Sequence, residues 1–139
     1  MIILDTSGLL AAIDASQHDH HRAREALLVT DPPWLLSPFV LAELDYLLAS
    51  RVGQSAERAL LTEVGRGVYR LEDFDPDDIV AAEKVIGRYL DLNVGLADAS
   101  LVVLANRYGI SELLTLDELH FRAIRRRGGG PFRLLPADM

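Results

Sequence analysis

Four acidic side chains stand out in this 139-residue sequence for the chemistry that they could perform together. Three of them follow a predicted strand or lie at the start of a predicted helix, and the fourth lies inside a helix. Because the carboxyl ends of parallel strands meet at one edge of a sheet, ligands collect at that edge. The first three are therefore expected on one rim. The four acids are Asp5, Glu43, Asp98 and Asp117.

Carboxylates gathered on one rim repel each other, and some would stay protonated at neutral pH without a compensating charge. A hard divalent cation relieves this repulsion, and oxygen-only ligands favour Mg²⁺ or Mn²⁺ over Zn²⁺. Such an ion polarises a phosphoryl oxygen and generates hydroxide from a bound water. The predicted chemistry is metal-assisted hydrolysis of a phosphodiester bond.

Two of these acids also have a purely structural explanation. Asp5 or Ser7 would cap the helix that follows the first strand, an interaction worth about 1 kcal/mol. The run Thr115-Leu116-Asp117-Glu118 matches a capping box, which explains Asp117 without any chemistry. Taken one at a time, these positions leave both interpretations open, and only the convergence of several acids favours a functional site.

Helical periodicity favours a functional role for Asp98. It falls on the same stripe of its predicted helix as Leu101 and Val102, and that apolar stripe should face the core. An N-terminal cap or a partner of the helix dipole would also explain Asp98, but a structural acid is expected on the polar side, with Ser100 and Arg107. The sequence therefore predicts that Asp98 points inward.

Periodicity does not choose between Glu43 and Asp45. The apolar residues of their predicted helix, among them Val40, Leu44 and Leu48, define a core face with one acid on each of its edges. Either acid alone is explained equally well as a solvated edge residue.

The remaining sequence predicts the elements that must position these acids. Short apolar runs predict five strands, and the segments between them carry helical spacing or helix start and stop signals. Strands that alternate with helices indicate an α/β fold with a parallel sheet and helices on both faces. No linker divides the chain, so residues 1–139 are expected to form one domain. The predicted strands are 2–4, 34–36, 68–71, 112–115 and 132–135. The predicted helices begin near residues 8, 20, 38, 56, 78, 97 and 117, and the last of them is expected to end at residue 126.

The composition excludes some classes of protein. The sequence is 50% hydrophobic and 25% charged, as in globular proteins, and it has no cysteine for disulfides or thiolate metal sites. No apolar run is long enough to span a bilayer, and the N-terminus lacks the basic start of a secretory signal. We expect a cytoplasmic protein with no membrane partner.

The net charge of −7 argues against a nucleic-acid partner until its distribution is considered. Acid is concentrated in residues 72–78, which are expected to form a solvated loop and helix start, and arginine is concentrated from Arg122 to Arg133. The arginines from Arg122 to Arg127 either face RNA or complement the dipole of their own helix end, and both interpretations stay open. His120 is expected to pack or to bond the backbone.

Four segments of the sequence form one recognisable set: ILDTS (3–7), SPFVLAE (37–43), LADAS (96–100) and LTLDELHF (114–121). In this order and spacing they resemble the PIN-domain family, over essentially the whole chain. A length without a further domain resembles the VapC-type toxins of prokaryotic toxin–antitoxin pairs. The resemblance implies a PIN-like three-layer sandwich around a five-stranded parallel sheet, and an Mg²⁺- or Mn²⁺-dependent endoribonuclease.

The resemblance also assigns the site. It places the catalytic, metal-binding acids at the four positions named above, and it chooses Glu43 over Asp45. Ser7 matches a supporting hydroxyl and Thr6 is a further candidate, whereas the extra acid Asp91 is expected at the surface. The implied partners are an RNA substrate, a second copy of the chain in a homodimer, and a small VapB-like antitoxin that binds over the active-site groove.

Two other functions compete with this one. A non-catalytic PIN module would bind RNA or antitoxin without cutting. A signalling receiver domain would also gather acids around one Mg²⁺, but no acidic pair follows the first strand here, and Lys84 lies in a predicted helix and not after a strand.

Overall fold

Five short strands alternate with seven α-helices in this computed structural model, which describes residues 1–139. One turn of 3₁₀-helix, Leu90–Leu92, precedes the sixth helix. The strands are β1 (Ile2–Leu4), β2 (Trp34–Leu36), β3 (Arg70–Leu71), β4 (Glu112–Leu114) and β5 (Arg133–Leu135). The helices are α1 (Thr6–Ile13), α2 (His20–Leu28), α3 (Pro38–Arg51), α4 (Gln54–Gly65), α5 (Pro76–Arg88), α6 (Leu96–Tyr108) and α7 (Glu118–Ala123).

The strands form one sheet in the order β3-β2-β1-β4-β5, and every neighbouring pair is parallel. The predicted α/β class with a five-stranded parallel sheet is therefore confirmed. The chain first moves outward from β1 to β3 and then returns to β4 on the other side of β1. Right-handed crossovers in opposite directions place the two sets of helices on opposite faces. The gap between β1 and β4 is the topological switch point, where such sheets bind ligands.

Two elements are shorter than the sequence predicts by two residues or more, and β4 and β5 are each shorter by one residue. β3 covers two residues instead of four, because it is an edge strand that pairs with β2 at only two positions. α7 ends at Ala123 and not at residue 126. The next residue, Ile124, has extended backbone angles (φ −72°, ψ 140°) and is fully buried, so its packing in the core draws the chain off the helix axis.

α6 has no polar side along its middle, contrary to the expectation from periodicity. All of its residues from Ala99 to Ala105 are buried, including Ser100, which was expected on a polar face. The hydroxyl of Ser100 donates to the carbonyl of Ala97 (2.6 Å) and shares a hydrogen bond with Ser37 (2.7 Å). A helix that packs against β1 and also against α3 and α5 is enclosed, and its one small hydroxyl is satisfied internally. None of the helices is long and apolar enough to cross a membrane.

The acidic segment 72–78 was expected to be solvated, but its first residue is buried. Glu72 is 6% exposed and accepts hydrogen bonds from Arg70, Arg107 and Tyr108. These bonds connect the end of β3 to the carboxyl-terminal turn of α6. The partners explain the burial of this charge, since a buried carboxylate is tolerated when it is paired.

Gly8 allows α1 to lie directly against the end of β4. A Cβ atom at this position would stand 2.3 Å from the carbonyl oxygen of Leu114 and 2.8 Å from the amide nitrogen of Thr115. Both are backbone atoms, which cannot rotate away. The close approach therefore depends on the missing side chain.

The substitution Gly8→Ala should lower the free energy of unfolding by about 1–3 kcal/mol, as overpacking does in a filled interior. Gly87→Ala is the matched control, because a Cβ at this helical position in α5 meets nothing within 4 Å. Alanine there should be neutral or stabilising by up to about 1 kcal/mol. Urea unfolding of both variants tests this, and equal stabilities would contradict the close approach.

Candidate active site at the carboxyl edge of the sheet

All four predicted acids line one open cleft at the carboxyl edge of the sheet. The cleft has a volume of about 330 Å³ and also includes both predicted hydroxyl residues, Thr6 and Ser7. A larger cleft of about 600 Å³ between α5 and α6 contains none of these residues. The structure thus brings together every member of the predicted site: Asp5, Thr6, Ser7, Glu43, Asp98 and Asp117.

Asp5 is the most deeply buried of the four acids, at 5% exposure. It follows β1 directly and occupies the N-cap position of α1, but its side chain makes no capping hydrogen bond. Its Oδ2 atom accepts hydrogen bonds from Ser7 (3.1 Å) and Thr115 (2.6 Å), and no side chain donates to Oδ1. Burial raises the pKa of Asp5 to about 6, the charge of Asp98 adds to the rise, and the two hydroxyls oppose it.

Thr115 is the residue that the sequence analysis missed. Its hydroxyl donates to Asp5 and accepts from the amide of Asp117 (2.9 Å), so one side chain connects the acid after β1 to the acid before α7. The predicted capping box is wrong, since Thr115 lies beyond the end of β4 and is not the helix cap. The register of β1 and β4 is the signal that would have identified Thr115. Leu4 pairs with Leu114, so the residues that follow them, Asp5 and Thr115, must be neighbours.

Asp117 is the true cap of α7. Its Oδ1 accepts from the amide of His120 (3.0 Å), and its Oδ2 lies 2.7 Å from Nδ1 of the same histidine. The other ring nitrogen of His120 lies 2.6 Å from the carbonyl oxygen of Leu92, which is the expected backbone bond. Burial alone would lower the pKa of His120, but the hydrogen bond and charge of Asp117 outweigh it and raise that pKa.

Asp98 lies in the first turn of α6, with 22% of its side chain exposed. Its Oδ2 lies 3.8 Å from Nδ1 of His120 and 3.5 Å from the amide of Gly95. Burial raises the pKa of Asp98, and the charges of Asp117 and Glu43 raise it further. These charge interactions require that the acids stand near one another, although they come from distant parts of the sequence.

The structure separates Glu43 from Asp45. Glu43 is exposed and lines the cleft, where its Oε1 accepts a hydrogen bond from Thr6 (2.7 Å). Asp45 lies on the other edge of α3 beside Glu57 of α4, and the contact raises the pKa of Glu57. The geometry therefore agrees with the choice of Glu43.

The oxygen donors of the cleft fit a hard divalent cation, and neither a sulfur atom nor an imidazole is among the groups that line it. However, no three carboxylate or imidazole groups are close enough in this structure to hold a metal ion together. The four acids line the cleft without forming a preassembled metal site.

The arginines from Arg122 to Arg127 do not border this cleft. Arg122 pairs with Glu118 and Asp138, and Arg125 donates to the carbonyl oxygens of Arg122 and Ile124. Bonds to the last carbonyls of α7 agree with the helix-end interpretation of Arg125. A different basic residue, Arg51, does line the cleft, and the sequence analysis did not select it.

The substitution Thr115→Val should raise the pKa of Asp5 above its value of about 6, because it removes a hydrogen bond that favours the carboxylate. Thr115→Ser is the control, since it keeps the hydroxyl and should leave the pKa near that of the unaltered protein. Titration of the carboxyl carbon by NMR measures this. An unchanged pKa in the valine variant would remove Thr115 from the site.

The family model described as PIN domain matches residues 2–127 of this chain. Ribonuclease VapC26 of Mycobacterium tuberculosis (strain ATCC 25618 / H37Rv) is 44% identical over 135 residues, which cover 97% of this chain and 100% of that protein. The similarity extends over almost the whole chain.

Solved structures agree in fold. The crystal structure of M. tuberculosis VapC20, a sarcin-ricin loop cleaving toxin, aligns with a TM-score of 0.78 and 26% identity, and covers 84% of this chain and 90% of that one. A toxin–antitoxin complex from Klebsiella pneumoniae aligns with a TM-score of 0.67 at 17% identity over 89% of this chain and 92% of that one, which shows the fold alone. The chain therefore belongs to the PIN-domain family and, within that family, to the VapC-type ribonucleases.

Proposed function

We propose that this protein is the toxin of a toxin–antitoxin pair and acts as a divalent-metal-dependent endoribonuclease that hydrolyses RNA phosphodiester bonds. The observation that carries the proposal is the single cleft lined by four carboxylates. A relative named as a ribonuclease, 44% identical along almost the whole chain, supports it.

The four acids have different parts in this proposal. Asp5 and Asp98 are the main metal ligands, because both are buried enough for their charge to need a counter-charge. Glu43, held by Thr6 across the cleft, serves as a ligand or orients the attacking water. Asp117 is held by the first turn of α7 and completes the set. A bound Mg²⁺ or Mn²⁺ ion would supply the Lewis acid that polarises the phosphoryl oxygen and acidifies water.

The hydroxyls hold the carboxylates in place. Thr115 and Ser7 both donate to one oxygen of Asp5 and leave the other without a side-chain hydrogen bond. Ser7 also accepts from the amide of Leu116, which anchors it to the segment between β4 and α7. Supported in this way, Asp5 is oriented before a ligand arrives, and metal-binding carboxylates commonly need such partners.

The proposal includes the partners expected of a VapC-type toxin. These are an RNA substrate, a VapB-like antitoxin that covers the active-site groove, and a second copy of the chain in a homodimer. The solved toxin–antitoxin complex with this fold is consistent with the antitoxin. A cytoplasmic location follows from an RNA substrate and belongs to the same proposal.

The receiver-domain alternative has lost its support. A receiver domain requires a lysine beside its acids. Here Lys84 lies in α5 and borders the cleft between α5 and α6, and it does not line the cleft of the four acids. The chain also belongs to a different family. The non-catalytic PIN module differs from the proposal only in activity, and the following experiment distinguishes them.

Asp5→Asn and Asp98→Asn should each abolish Mn²⁺-dependent cleavage of RNA. Changes outside the ligand shell already reduce metal affinity or activity by 10–100-fold, so loss of a ligand should reduce the rate by more than about 100-fold. Asp91→Asn is the control, because Asp91 is exposed, does not line the cleft and loses the same charge. Cleavage is measured on a labelled oligoribonucleotide.

Undiminished cleavage by both cleft variants would refute the assignment of the site. Retention of RNA by the unaltered protein without any metal-dependent cleavage would establish the binding module instead.

Mn²⁺ should raise the melting temperature of the protein, and the rise should be larger at about pH 7.5 than at about pH 5. The folded protein binds a proton at Asp5 up to about pH 6, whereas the unfolded chain releases it near 3.8. Without a metal, the protein therefore loses stability as the pH rises from 3.8 to about 6. Above this range Asp5 has lost its proton, and a cation can take the place of that proton. Asp5→Asn should remove most of the rise, and a rise that persists in that variant would contradict the site.

A further inference from the structure

Arg51 is the one Lys, Arg or His side chain among the residues that line the carboxylate cleft. It is exposed, it forms no ion pair with any carboxylate, and its guanidinium donates no hydrogen bond within the protein. All five N–H donors of this side chain are therefore available to a ligand. A free guanidinium beside a cleft of four carboxylates is a combination that the proposed metal site does not explain.

Several other arginines of the chain are neutralised within the protein, whereas some exposed ones, such as Arg58, are unpaired like Arg51. Arg107 pairs with Glu72 and Asp78, Arg122 pairs with Glu118 and Asp138, and Arg133 pairs with Glu112. Arg51 lies at the edge of the most acidic cleft and still has no such partner.

The position of Arg51 on α3 relates it to Glu43. Glu43, Leu47 and Arg51 are spaced by four residues, so they follow one stripe of the helix, and all three line the cleft. Eight residues along a helix correspond to about 12 Å. Arg51 therefore stands outside the carboxylate cluster. Its distance from Glu43 suits contact with a neighbouring group of an extended ligand, and not with the reacting atom itself.

An RNA strand entering this cleft meets four carboxylates, which repel its phosphates. A guanidinium offers a planar pair of donors that matches two phosphate oxygens, and such charge-assisted bonds are among the strong ones. We propose that Arg51 binds a phosphate of the RNA strand adjacent to the one that is hydrolysed, and so holds the substrate over the carboxylates. This inference rests on the proposed function.

A structural role for Arg51 makes a different prediction. Arg51 lies in the last turn of α3, where a positive charge favours the helix dipole. Lysine would provide that charge equally well, but it lacks the planar fork. The lysine variant therefore separates the two roles.

The experiment compares Arg51→Ala, Arg51→Lys and Arg58→Ala with the unaltered protein, on a single-stranded oligoribonucleotide with Mn²⁺. Arg58 is the matched control, since it is exposed, unpaired and outside the cleft. Loss of a charge-assisted bond to substrate should raise KM by about tenfold or more, with kcat within about twofold. Arg51→Lys should restore only part of the loss, and Arg58→Ala should leave both constants unchanged.

The salt dependence of binding adds a readout that a structural role would not move. RNA binding is measured in the Asp98→Asn background, which holds the strand without cutting it. Removal of one phosphate contact should reduce the slope of log affinity against log salt by about 0.7. The inference would be overturned if Arg51→Ala had the same KM and the same salt slope as Arg58→Ala. A fall in the kcat of Arg51→Ala at constant KM would overturn it as well. Absence of cleavage by the unaltered protein would instead overturn the proposed function.

Discussion

The burial of one carboxylate at the end of the central strand is the constraint on which the site depends. Asp5 is 5% exposed, and its burial raises its pKa to about 6. At neutral pH the fold therefore holds a charge that it stabilises incompletely. Two hydroxyls reduce this cost, but neither carries a positive charge. The need for a counter-charge makes the cleft a place for a cation, and the other three acids increase that need.

The surrounding structure keeps this unfavourable group in place. Thr115 crosses the switch point from β4 to Asp5 and also bonds the backbone of Asp117, so the acids of two strands share one hydroxyl. Gly8 allows α1 to lie against the same end of β4. These contacts are made by backbone and short side chains, which have little freedom to move. Asp5 is thus held at the end of β1 by groups that belong to the sheet edge and to the helix that follows it.

Much of this arrangement could be predicted from the sequence. Apolar runs predicted the strands, and acids after them predicted a shared rim because parallel strands end on one edge. Contacts between distant segments were not accessible in the same way. Thr115 matched a local capping pattern and its partner is 110 residues away. Ser100 was expected on a polar face, but periodicity does not reveal a helix that is enclosed on all sides. Glu43 and Asp45 were equivalent by spacing, and the sequence chose Glu43 only through the family resemblance. In the structure Glu43 lines the cleft, whereas Asp45 lies beside Glu57 of α4.

If the four carboxylates share one cation, a crystal of the protein grown with Mn²⁺ should contain manganese in the cleft that they line. Anomalous scattering recorded at the manganese edge locates the ion. An anomalous peak at bonding distance from Asp5 and Asp98 is expected. A cleft without a peak at saturating Mn²⁺, or manganese bound only elsewhere, would show that these acids do not share an ion.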